Sequence, residues 1–192
     1  MLDLLNDIDK NIFLFINGFH NSFFDFVMYY VSSSTLWIPL YIFFVFLLYK
    51  VYGFKFWIPL LFIIIAFSLS DYISVHAFKN VFQRLRPCHN PEISNLVHIV
   101  RNHCGGEYGF VSSHASNMFA VAISVWLFIK KLYPKSLIWL LLWASLISYS
   151  RIYLGVHFPA DVIVGGLLGS AMAFICYKIF VKIFKKRFSS EA

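Results

Sequence analysis

The run "FWIPLLFIIIAFSLSDYISVHAF" occupies residues 56–78. A transmembrane helix needs about 20 mostly apolar residues to cross about 30 Å of hydrocarbon, and this run is long enough. Four more stretches match it, at roughly 26–49, 113–133, 136–154 and 159–181. Of the 192 residues, 60% are hydrophobic and 20% aromatic, which exceeds the apolar share of a soluble domain. No alternating ten-residue pattern of a transmembrane barrel appears. In lipid the backbone must satisfy its own hydrogen bonds, which leaves helices. The expected fold is therefore an all-α polytopic transmembrane bundle of five spans, forming one domain over residues 1–192.

The start, "MLDLLNDIDK", is acidic and lacks the basic n-region of a cleavable signal peptide. Leu5, Ile8, Ile12, Phe15, Ile16 and Phe19 recur at helical spacing. Residues 3–19 read as an amphipathic helix on the membrane surface, with a sixth, short span as the alternative.

The formal net charge is +7. Lys50 and Lys55 flank one connection, and Lys130, Lys131 and Lys135 another. Lys178, Lys182, Lys185, Lys186 and Arg187 line the carboxyl end. The positive-inside rule puts these ends in the cytoplasm, so they read as topology anchors attracted to anionic lipid and not as a nucleic-acid site. An odd number of spans then places the amino terminus outside. The 79–112 and 150–161 connections also face outward.

The only long polar stretch, 84–109, holds Cys88 and Cys104. Outside the cytoplasm such a pair is a disulfide candidate. Zinc bound through Cys104, His103 and His89 is the weaker reading, because no paired CxxC or HxxxH spacing is present. Cys176, in the last span, reads as packing.

Lys79, Arg84, Arg86, His114, Arg151, His157 and Asp161 all fall at outward helix ends. Ionisable groups at that depth are functional candidates. In "KNVFQRLRP", a continued helix would set Lys79 and Arg86 on one face, with His76 and Gln83, and turn Arg84 away as an interfacial anchor. The pair reads either as an anion grip or as cations snorkelling to head groups. In "FVSSHASN", Ser112 suits a helix N-cap, and the free amides after it suit phosphate. His114 in that turn reads as a proton donor or as an ordinary interfacial histidine. In "SRIYLGVHFPAD", Pro159 is tolerated only in a first helical turn, which puts His157 near the helix start. Asp161, one turn on, can accept from one ring nitrogen and leave the other as a nucleophile or base. Arg151 offers a forked donor for phosphate oxygens. A structural His–Asp pair is the competing reading.

Together the three segments resemble the type 2 phosphatidic acid phosphatase family, which includes vanadium haloperoxidases and bacterial acid phosphatases. Lys79, six residues, then Arg86-Pro87 matches its first motif. Ser150-Arg151, five residues, His157, three residues and Asp161 match its third. The second motif, Pro-Ser-Gly-His, appears as Val111-Ser112-Ser113-His114. The resemblance implies that His157 attacks phosphorus, Asp161 orients it, and His114 protonates the leaving oxygen and then activates water. Lys79, Arg86, Ser112, Ser113 and Arg151 would bind the phosphate, with no metal or other cofactor. The implied partner is a phosphorylated membrane lipid in the bilayer, with lipid A phosphate or undecaprenyl diphosphate first. Phosphatidylglycerophosphate, phosphatidic acid and a non-enzymatic lipid-phosphate binder are the alternatives.

Overall fold

A computed structural model describes the backbone of residues 2–188 and the side chains of residues 4–184. The helices are α1 (Leu2–Gly18), α2 (Ser22–Ser32), α3 (Ile38–Tyr52), α4 (Trp57–Ile73), the one-turn α5 (Asn80–Phe82), α6 (Ser113–Ile129), α7 (Ser136–Tyr153) and α8 (Pro159–Phe188). No strand is present among the described residues, so the all-α expectation holds. Among the described residues four segments are long and apolar enough to cross a membrane: Ser34–Lys55, Trp57–Phe82, Ser136–Tyr153 and Pro159–Phe184. The apolar α6 is shorter.

The stretch expected to span from 26 to 49 is broken. Helix α2 stops at Ser32, Ser33 is extended, and a 3-10 turn over Ser34–Trp37 leads into α3. Serine hydroxyls compete for local hydrogen bonds, as Ser33 Oγ does at 2.7 Å from Thr35 Oγ1. Pro39 in the first turn of α3 then starts a fresh helix.

Helix α6 is the axis of the bundle and packs on α8, α7 and α4. Val125, Phe128, Ile129, Trp143, Ile147 and Phe180 form much of its core. Its amino-terminal end meets α8 almost backbone to backbone. A Cβ at Gly165 would lie 2.6 Å from the Ser112 carbonyl oxygen, and one at Gly169 would collide with that of Ser116. Only glycine allows this approach, which seats residues 112–114 beside the first turn of α8.

Outward faces of α4, α7 and α8 expose Leu61, Ile64, Trp139, Leu142, Ile163 and Leu167, as a lipid-facing surface requires. At one end Tyr52 donates to the Phe128 carbonyl at 3.0 Å, tying the ends of α3 and α6. Lys50, Lys55, Lys130, Lys131 and Lys135 therefore gather at that end. The side chains of Lys185, Lys186 and Arg187 lie outside the described residues.

Helix α1 is amphipathic as expected, but its polar side is the one that docks. Leu5, Ile8, Ile12, Phe15 and Phe19 are exposed, whereas Asp9, Phe13 and Asn17 are buried. Asn17 donates to the carbonyls of His98 (3.0 Å) and Tyr153 (2.8 Å) and accepts from the His98 amide at 2.8 Å. The apolar stripe is left for lipid contact while the polar stripe closes over the end of the bundle opposite the lysines.

Candidate active site

The cationic segment is not one helix. After α4 the chain makes a π-helical turn over Ser74–Lys79, and α5 ends at Gln83, whose φ of 49° is left-handed. Residues 84–86 are extended and pair with 107–109. The Gly109 amide donates to the Arg84 carbonyl at 2.8 Å, and the Arg86 amide donates to the Glu107 carbonyl at 3.0 Å. Arg86 reaches the site through this pairing and not through a shared helical face with Lys79. His76 is exposed and stacks on Tyr72, and so falls outside the site.

The Cys88–Cys104 disulfide closes the paired segment, with Cα atoms 6.2 Å apart. Both sulfurs are committed to that bond, which displaces the zinc reading even though His89 lies close to them. Arg86 donates from Nη1 to the Cys104 carbonyl at 3.2 Å and from Nε to that of Tyr108 at 3.3 Å. Burial lowers the Arg86 pKa, and nearby Asp161 opposes that shift. The bridge thus steadies a cation of the site. Reduction should raise KM for a phosphorylated substrate more than it lowers kcat. It should also remove about 3 kcal/mol of stability for a loop this long. Kinetics and thermal melting with and without dithiothreitol check both.

Ser112 is fully buried and caps α6, its Oγ accepting from the Ala115 amide at 3.5 Å. Its own amide donates to the Asp161 carbonyl at 3.0 Å. Ser113 Oγ accepts from Lys79 Nζ at 2.8 Å and lies 2.7 Å from Ser74 Oγ. The hydroxyl that replaces the expected glycine hydrogen therefore fixes the lysine. Ser113→Ala should raise KM roughly five-fold with little change in kcat, the size of one modest hydrogen bond. Steady-state kinetics on a lipid phosphate checks it.

Arg151, in the last turn of α7, donates to Ser32 Oγ, and its Nε is buried without a partner. Gly155, at φ +80°, carries the turn beneath the 97–98 segment, where a Cβ would meet the His98 carbonyl oxygen at 2.6 Å. His157 is 2% exposed, and its Nδ1 lies 3.5 Å from Asp161 Oδ2. That spacing is beyond an ordinary hydrogen bond, and catalytic contacts are often long before substrate binds. Burial lowers the His157 pKa well below 6.5, and Arg86, Arg151 and Lys79 add to the shift. The ring is held neutral, as a nitrogen nucleophile must be.

Lys79, Arg86, Ser112, Ser113, His114, Arg151, His157 and Asp161 thus converge at the end of the bundle opposite the lysines. His114 opens onto a cavity of about 650 Å³ whose wall includes Trp37, Phe44, Leu60 and Ile63. The arrangement joins three cations and an enclosed imidazole to an apolar chamber between helices.

The description "PAP2 superfamily" fits residues 56–185, well over half of the sequence. The chain belongs to the PAP2 superfamily. It is 34% identical over 186 residues to a lipid A 4'-phosphatase of Bacteroides thetaiotaomicron, covering 95% of this chain and 81% of that one. A lipid A 4'-phosphatase of Porphyromonas gingivalis is 32% identical, covering 94% and 76%. The crystal structure of Aquifex aeolicus LpxE superposes with a TM-score of 0.68 at 25% identity, over 88% of this chain and 94% of that one. This PAP2 chain is a multi-pass bacterial membrane protein and a lipid phosphatase.

Sequence reasoning missed several members of this PAP2 site. Arg84, read as an interfacial anchor, is turned inward and binds Asp161. Reading 84–86 as extended would have placed Arg84 and Arg86 on one side. Asp9 of α1 and Ser32 of α2 carried no local signal.

Proposed function

We propose that the chain removes a phosphate from a lipid head group presented at the outer face of the inner membrane. Lipid A phosphate is the first substrate and undecaprenyl diphosphate the second. The carrying observation is similarity to two lipid A 4'-phosphatases over 95% and 94% of this chain. That similarity takes in helices preceding the residues common to the superfamily. An undecaprenyl-diphosphatase of Sulfolobus acidocaldarius is 41% identical over 38% of the chain, which supports the second substrate less fully. Phosphatidylglycerophosphate has only likeness of fold behind it, from a Bacillus subtilis phosphatase at 24% identity and TM-score 0.70.

In the proposed reaction His157 attacks phosphorus with the ring nitrogen turned away from Asp161. The bond to the lipid oxygen breaks, and His114 gives that oxygen its proton. A water then attacks the phosphohistidine, His114 takes the water's proton, and the P–N bond breaks to release phosphate. Lys79, Arg86, Arg151, Ser112 and Ser113 stabilise the equatorial oxygens, an electrostatic role that is often the largest catalytic contribution. Three cations supply the charge that a metal provides elsewhere, so EDTA should leave the rate unchanged while vanadate inhibits. The apolar cavity beside His114 suits the lipid moiety as leaving group. The positive-inside rule supports a cytoplasmic place for the lysine-bearing end and a periplasmic one for the site. Residues 1–192 act as one domain in this reading, because α1 closes over the site.

The test compares lipid profiles of cells with and without the protein by mass spectrometry, alongside phosphate release by the purified protein. Lipid A that gains a phosphate in the deletion supports the first substrate. Unchanged lipid A with accumulated undecaprenyl diphosphate transfers the assignment to the second. Unchanged lipids of both kinds refute the proposal.

A further inference from the structure

One network, buried at its centre, joins α1 to the site through side chains other than the phosphate-binding ones. Arg84 Nη1 donates to Asp161 Oδ1 at 2.7 Å, and its Nη2 donates to Asp9 Oδ2 at 2.7 Å and to Asn6 Oδ1 at 3.1 Å. The guanidinium carbon lies 4.2 Å from the centre of the Phe158 ring, which packs edge-on against Phe13. Asp9 uses its other oxygen to accept from the Ala160 amide at 2.9 Å. Asp161 Oδ2, the oxygen facing His157, accepts from the Phe158 amide at 3.0 Å.

The network is closed. One guanidinium holds two carboxylates, and each carboxylate also grips the start of α8, where free amides favour negative charge. Asp161 is fully buried, and Arg84 is its ion-pair partner apart from His157. A carboxylate bound at both oxygens has one orientation, so Oδ2 stays turned toward the imidazole. Arginine is flexible, and Asp9, Asn6 and Phe158 leave this one a single position. Asn6 and Asp9 lie before residue 56, outside the superfamily match.

We propose that Arg84 and Asp9 are positioning residues for the phosphatase reaction: Asp9 fixes the guanidinium, the guanidinium fixes Asp161, and Asp161 fixes the His157 ring. The proposal rests on His157 being the nucleophile. The groups facing that ring are Lys79 from the extension of α4, Arg86 from the paired loop, His114 from α6, Arg151 from α7 and Asp161 from α8. Arg84 acts on it through Asp161.

The test uses the full chain in detergent, with Arg84→Gln, Arg84→Lys and Asp9→Asn compared on a short-chain phosphatidic acid. Arg84→Gln should lower kcat about 10- to 100-fold, the usual scale for a group that orients a reacting one. KM and competitive inhibition by inorganic phosphate should stay within about two-fold, because no phosphate-binding side chain is changed. The pH profile of kcat/KM should shift, since the His157–Asp161 pair loses the cation that Arg84 supplies. Arg84→Lys should recover part of kcat, and Asp9→Asn should fall the same way by less. Full kcat in Arg84→Gln overturns the proposal. So do parallel losses in kcat, phosphate affinity and melting temperature, with no pH shift and no advantage for lysine. A wild type that turns over no lipid phosphate refutes the phosphatase reading and this proposal with it. An active wild type beside an equally active Arg84→Gln refutes only the positioning role.

Discussion

His157→Ala should abolish phosphate release, with kcat down by a factor on the order of 10⁴ to 10⁶, as when other covalent nucleophiles are removed. The effect is large because no other side chain is placed to replace it. Arg86, Arg151 and Lys79 already surround the ring, and His114 is committed to proton transfer in the proposed reaction. Quenched reactions should also lose the acid-labile, base-stable phosphoenzyme expected of phosphohistidine. Turnover retained with an unchanged phosphoenzyme would reject the assignment. The pH dependence supplies a second check on the wild type. His157 has a lowered pKa, so the free enzyme stays competent below 6.5 and the acid limb of kcat/KM should lie beneath that value. For stability the sign follows from proton counts. Below 6.5 the unfolded chain protonates this histidine and the folded chain does not, so the contribution of the neutral ring is present above 6.5 and declines as pH falls. A limb above 6.5 would show that another group governs the titration.

His114→Ala should slow release from a lipid phosphate by about 10² to 10⁴, the usual share of a general acid–base. The second expectation is selective. Lipid alkoxides leave poorly without a proton, whereas an activated aryl phosphate expels a stable phenolate. The loss should therefore be much smaller on p-nitrophenyl phosphate for formation of the phosphoenzyme. Breakdown, which needs water to be activated, should stay slow, so the intermediate should accumulate. Equal losses on both substrates with no accumulation would assign His114 to the cradle and not to proton transfer. Its place on the wall of the apolar cavity fits that role, because the lipid moiety would lie on that side in the proposed reaction.

Much of this was legible in the chain. Long apolar runs mark helices by composition alone, and α4, α7 and α8 lie close to where hydropathy puts them. His157 and Asp161 are joined by one helical turn, so their pairing could be read locally. Pro159 gave the helix start for the same reason. The failures share a different cause. Serines 32–34 broke a run that a long hydropathy window carries across them, because hydroxyl competition is not a hydropathy signal. The docking of α1 through Asp9 and Asn17 was not legible, because these residues meet partners far along the chain. Asp9 is 75 positions from Arg84 and 151 from Ala160. Arg84 itself was misplaced by extending a helix across Gln83, whose left-handed backbone no local pattern announced. The residues that the motifs single out lie together; most of the contacts that hold them were legible only in three dimensions.

The reach of α1 also orders assembly in time. Its polar face can meet Arg84 and His98 early, but it is fully bound only when residues 153 and 160 exist, which supply the Tyr153 carbonyl to Asn17 and the Ala160 amide to Asp9. Closing loops of that length is entropically slow, so the contact forms late. The first helix therefore completes its contacts only when the start of α8 is in place. A nascent chain that ends before residue 160 therefore lacks both Asp161 and the amide that Asp9 clasps.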